Sequence, residues 1–131
     1  MSVHLTRQDE FAVLTLDRQE ALNALSSVVL RELVQAFDQV AKADARALIV
    51  TGAGPKAFCA GADIKELTGR SLSEQRRDAE FGQSVLARLD TLPMPSIAAI
   101  NGYAFGGGME HALACTFRIA APTAKMGMPE I

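Results

Sequence analysis

The sequence predicts an α/β domain. Short apolar runs rich in β-branched residues alternate with stretches of 3–4 apolar spacing, in the order β-β-α-β-α-β-α-β. With 49% hydrophobic and 21% charged residues, the composition is globular and excludes wholesale disorder. No linker or low-complexity stretch interrupts the 131 residues, so a single domain over 1–131 is expected. Strands joined through a helix should run parallel.

Each element has its own signal. Val3 and Leu5, then Ala12 to Leu16, alternate around the polar cluster Arg7-Gln8-Asp9-Glu10, which reads as a hairpin turning near Gln8 to Glu10. Ser26-Ser27 caps a helix whose apolar stripe is Leu30, Leu33, Val34, Phe37, Val40 and Ala41. Ala47 to Thr51 is a buried strand ended by Gly52. A glycine-rich loop is expected from Gly52 to Asp63. Ser71-Leu72-Ser73-Glu74 is a capping box, opening a helix with Phe81, Val85, Leu89 and Leu92 on one face. Pro93 and Pro95 end it. Ser96 to Ile100 is a further buried strand. Gly106-Gly107-Gly108 then turns into a short helix over Met109 to Cys115, and Phe117 to Ala120 is a last strand. Residues 125–131 read as a loop returning toward the core.

Charge and composition exclude several function classes. Thirteen basic against fifteen acidic residues give a net charge of −2, which argues against a nucleic-acid surface. No run of about 18 apolar residues marks a transmembrane helix, and Met1 to Arg7 lacks a signal peptide's apolar stretch. A cytoplasmic protein with reduced Cys59 and Cys115, and no membrane partner, is expected. There is no CxxC, no HExxH and no His-rich tract, so no metal site is expected.

Four candidate chemistries stand out. Gly52-Ala53-Gly54-Pro55-Lys56-Ala57 matches a dinucleotide fingerprint as text, but no helical period follows it until about residue 71, so it reads as a plain loop. Second, Cys59-Ala60-Gly61-Ala62-Asp63 and Gly106-Gly107-Gly108 each follow a strand or loop with small residues, and the latter opens a helix. Such loops bring backbone N–H groups close to a ligand, and two N–H groups aimed at one oxygen make an oxyanion hole. Close-packed turns are the alternative. Third, Glu110 and Glu130 are the two carboxylates of an otherwise apolar final stretch. Glu110 falls in the first turn of the helix after Gly107; apolar surroundings would suit either carboxylate to acid–base work, whereas Glu110 could simply favour the helix dipole. Finally, His111 points about 100° away from Glu110 on a helix and reads as a packing or interface residue. Cys59 has no marked base and reads as inert.

Taken together, Asp17-Arg18-Gln19-Glu20-Ala21-Leu22-Asn23-Ala24-Leu25, Ala57 to Ile64, Ile100 to Glu110 and Met126-Gly127-Met128-Pro129-Glu130-Ile131 resemble the enoyl-CoA hydratase/isomerase (crotonase) superfamily, in the family's order. The resemblance implies a spiral of ββα units that binds acyl-coenzyme A thioesters. It implies an oxyanion hole from the N–H groups of Ala60 and Gly107, and substrate contacts from Ala60, Gly61, Ala62, Asp63 and Ile64 along the coenzyme A. Glu110 and Glu130 would handle the water added across the 2,3 double bond of an enoyl thioester, a lyase reaction of fatty acid metabolism. No cofactor is implied beyond the coenzyme A of the substrate. A crotonase-fold isomerase, or an acyl-CoA-binding fragment without activity, are the alternatives. The resemblance covers roughly the N-terminal half of a family member, so the chain is expected to be truncated after Ile131, and a full-length protein is expected to form a homo-oligomer, a trimer or hexamer. Met109 and His111 flank Glu110 where many hydratases have Cys and Leu, Thr116 stands where Asp is usual, and Met128 replaces a usual Gln. These departures bear on substrate choice.

Overall fold

The computed structural model describes residues 1–62, 66 and 68–129. Strands β1 (Val3–Gln8) and β2 (Phe11–Leu16) form the expected hairpin. Gln8 pairs with Phe11, leaving Asp9 and Glu10 as a two-residue turn, and Asp9 takes a left-handed φ of 55° that aspartate tolerates. A 3-10 turn at Gln19–Ala21 leads to α1 (Ser27–Ala41). The Ser26 hydroxyl accepts the Val29 N–H at 3.1 Å, so the cap lies where the sequence places it. Val29, Leu33, Ala36, Phe37 and Val40 are the buried stripe of α1.

Strand β3 (Ala47–Gly52) pairs parallel with β2, β5 (Ser96–Ile100) with β3, and β7 (Phe117–Ala120) with β5. The larger sheet is therefore ordered β1-β2-β3-β5-β7, antiparallel only in the hairpin. Leu14, Leu48, Val50 and Ala98 sit on its covered face, fully buried with Leu33, Phe37 and Val40 of α1. Helix α2 (Leu72–Ala87) opens on the capping box of Ser71 and Glu74 and ends in a 3-10 turn at Arg88–Thr91, before Pro93. Its buried contacts are Val85, Leu86 and, in the 3-10 turn, Leu89; Phe81 is exposed.

A second sheet is absent from the sequence reading. Strands β4 (Ala57–Cys59), β6 (Tyr103–Phe105) and β8 (Lys125–Gly127) pair in parallel, in that order. β4 and β8 occupy stretches read as loops and β6 one given no element, because three residues are too few for a period-2 signal and their partners are distant in sequence. The chain thus alternates between sheets: β3, β4, then α2; β5, β6, then helix α3 (Gly107–Ala114). This is the spiral of ββα units that the resemblance implies. β7 and β8 start the same pattern again. All four residues of β7 are exposed, unlike the buried strands β3 and β5. Among the described residues, no helix is long and apolar enough to cross a membrane.

Candidate active site

The site grows from the point where both sheets deliver their loops to the start of α3. Gly107 is the first residue of α3, so its N–H has no partner within the helix. Two glycines make this start possible. A Cβ at Gly108 would overlap the Cys59 carbonyl, so α3 packs directly on β4. Gly61 has a φ of 104°, and a Cβ there would stand 3.3 Å from the Phe105 carbonyl oxygen and 4.0 Å from Gly107 N. The 61–62 backbone and the first turn of α3 are therefore neighbours: a Cβ on Gly107 would lie 3.8 Å from Ala62 N.

This geometry corrects one expectation. The Ala60 N–H donates to the Leu22 carbonyl at 3.0 Å, so it is already used. Gly61 turns the chain, its carbonyl accepts the Leu25 N–H at 2.7 Å, and Leu25 and Ala62 form a parallel bridge. Of the two amides, Ala62, not Ala60, stands beside Gly107, and no carbonyl among the described residues takes its N–H. The 60–62 loop and the start of α3 are neighbours, and the amide beside Gly107 belongs to Ala62. Asp63, Ile64 and Glu130 lie outside the described residues.

Ala62, Gly107 and Glu110 line one cavity of about 360 Å³, between α1, α2 and α3, a size at the small end of ligand sites. Glu110 sits in the first turn of α3, with its N–H on the Gly106 carbonyl at 3.0 Å. Its residue is exposed at the cavity, without the apolar surround that the sequence suggested. Glu66 lines the same space, and its carboxylate accepts the Ser27 N–H at 2.9 Å and the Ser27 hydroxyl at 3.1 Å, tying it to the start of α1.

Two asparagines hold the loop that feeds this site. Asn23 is buried, with a left-handed φ of 57°. Its Oδ1 accepts the Arg18 N–H at 2.8 Å, and its Nδ2 donates to the carbonyls of Ala53 at 3.1 Å and Ala57 at 2.9 Å. Asn101 accepts the Gly52 N–H and donates to the carbonyls of Gly52, Gly54 and Ala57. The backbone of residues 52–57 bends here and enters β4, with no helix for a pyrophosphate. Neither asparagine has a role in the sequence reading. The only signal is a single Asn in each motif, which does not reveal its carbonyl partners.

The other candidates are structural. His111 is fully buried against the Phe58 ring, 5.9 Å between centroids, and neither ring nitrogen has a partner among the described residues. Burial pushes its pKa down to about 4, so it is neutral at pH 7. Burial pushes the Cys59 thiol up to about 12 against a small lowering from the Gly61 backbone, which leaves it protonated and unreactive.

The profile of the enoyl-CoA hydratase/isomerase family matches residues 6–131. The chain belongs to that family. It is 42% identical to the short-chain-enoyl-CoA hydratase of Clostridium acetobutylicum over 131 residues, covering 99% of this chain and 50% of that protein. The enoyl-CoA isomerase/hydratase of Zymoseptoria tritici is 41% identical over 98% of this chain and 44% of its own length. The crystal structure of an enoyl-CoA hydratase from Bacillus anthracis superposes with a TM-score of 0.95 at 40% identity, over 99% of this chain and 51% of that one. The family fold is therefore a crotonase fold. The chain spans about half the length of the curated relatives it matches.

Proposed function

We propose that the protein adds water across the 2,3 double bond of a 2-enoyl-CoA thioester. The observation that carries the reading is that Glu110, the Gly107 N–H and the Ala62 amide open onto one cavity. With the thioester oxygen near Gly107 and Ala62, two N–H groups face the charge that develops there. A carboxylate takes one proton from the water as its oxygen bonds to C3. The π electrons move onto the thioester oxygen as an enolate, and the enolate then takes a proton at C2. Net, one water is added and no redox partner is used. Glu110, which lines the cavity, is proposed for the first proton, and Glu130, which the resemblance pairs with it, for the second. Coenzyme A, as part of the substrate, is the only organic group this chemistry calls for. The two buried free thiols fit a cytoplasmic enzyme, and a homo-oligomer is proposed for it.

The test is the conjugated-thioester absorbance of a 2-enoyl-CoA, which falls on hydration. Glu110→Gln keeps shape and removes the proton acceptor, so turnover should drop about 10²–10⁴-fold. Near-normal turnover would overturn the assignment of Glu110. An isomerase reading is favoured by one relative's name, isomerase/hydratase. It predicts a 3-enoyl product with no uptake of oxygen from labelled water.

A further inference from the structure

The cavity does not end at Glu110. It extends between α1 and α2, where Leu25, Leu30, Phe81, Gly82 and Leu86 line it. Gln75 and Asp78 lie on the rim, and Asp78 is engaged by Arg70 at 3.4 Å. An apolar arm with a polar rim fits an aliphatic chain. Gly82 lies inside a 16-residue helix, an interior position where glycine is less favourable than alanine. Its backbone does not explain it, since its φ is not left-handed. Close packing does not explain it either. A Cβ built there meets one described side chain within 4 Å, Leu30 Cδ1 at 3.8 Å, which is ordinary contact. What glycine supplies is space in the wall of the arm.

We infer that Gly82 is a specificity-determining residue for acyl-chain length: the gap it leaves between α1 and α2 receives the acyl carbons beyond the conjugated double bond. The substrate class is then straight-chain 2-enoyl thioesters longer than four carbons. The inference rests on the proposed hydration, so its test separates the two. The protein is compared with Gly82→Ala and Gly82→Leu on a four-carbon and an eight-carbon 2-enoyl-CoA. Excluding a methylene from an apolar site removes about 4-fold in affinity, the equivalent of ~0.8 kcal/mol. Gly82→Leu should therefore lower the eight-carbon to four-carbon ratio of kcat/KM by about 10-fold or more. Gly82→Ala should change it by less than about 4-fold and raise Tm through helix propensity. In parallel, butanoyl-CoA and decanoyl-CoA binding is measured by calorimetry, which needs no turnover. An unchanged ratio in folded Gly82→Leu, with wild-type hydration intact, would overturn the role of Gly82 alone. If the wild-type protein hydrates neither thioester, the hydration reading falls and binding decides: selective weakening of decanoyl-CoA supports the arm, and equal weakening of both overturns it.

Discussion

Asn23→Ala should destabilise the protein by about 4 kcal/mol. The side chain makes three hydrogen bonds, to the Arg18 N–H and to the carbonyls of Ala53 and Ala57, and it is buried. At about 1 kcal/mol each, their loss amounts to about 3 kcal/mol. The Ala57 carbonyl keeps Asn101 as a partner at 3.2 Å, which holds the figure near that mean. Alanine at the left-handed φ of 57° adds about 1 kcal/mol. Asn23→Gly separates the two effects, because glycine loses the bonds but tolerates the backbone; it should lie about 1 kcal/mol above Asn23→Ala. Asn23→Asp keeps the acceptor for Arg18 but turns carboxylate oxygens toward two carbonyls, so it should be the worst of the three. Urea unfolding at neutral pH reads all of them. The same turn docks Leu22 on Ala60 and Leu25 on Gly61, so turnover should fall in parallel with stability. An Asn23→Ala protein within about 1 kcal/mol of the parent, or a glycine variant less stable than the alanine one, would refute the reasoning.

Three further outcomes follow from the site and the surface. Gly107→Pro deletes an N–H at the proposed oxygen site and should lower turnover at least as much as about 10²–10³-fold, with circular dichroism confirming the fold. His111 should make stability fall with acid. Above about pH 6.5 it is neutral folded and unfolded, between about 6.5 and 4 only the unfolded chain takes the proton, and by about pH 5 roughly 2 kcal/mol is lost; His111→Leu should flatten that slope in urea titrations. The 131-residue chain should self-associate through the exposed Leu113 of α3, Phe117 and Ile119 of the edge strand β7, and Met126 and Met128 at β8, and sedimentation should show Phe117→Glu with Ile119→Glu reducing it.

Much of the fold was legible in the sequence. The hairpin, α1 with its Ser26 cap, the capping box at Ser71 and Glu74, and strands β3 and β5 all have signals that act within a few residues, and the structure has each of them. Glu110 and Gly107 were legible as neighbours for the same reason, since a single helical turn connects them. The sequence by itself also determined the family, through four stretches whose order no composition argument would reproduce. Only the tertiary structure decided the rest. The strands β4, β6 and β8 have three residues each and exist because distant partners complete their hydrogen bonds. Ala60 and Ala62 look equivalent in a run of small residues; they differ because the Leu22 carbonyl takes one N–H and Gly61 turns the other toward α3. Gly82 carries no signal in the sequence, and the space beside it shows only where Leu30 of a different helix stands across it. Periodicity and capping are short-range and are written along the chain, whereas the availability of an N–H or of empty space depends on which remote group folding brings beside it.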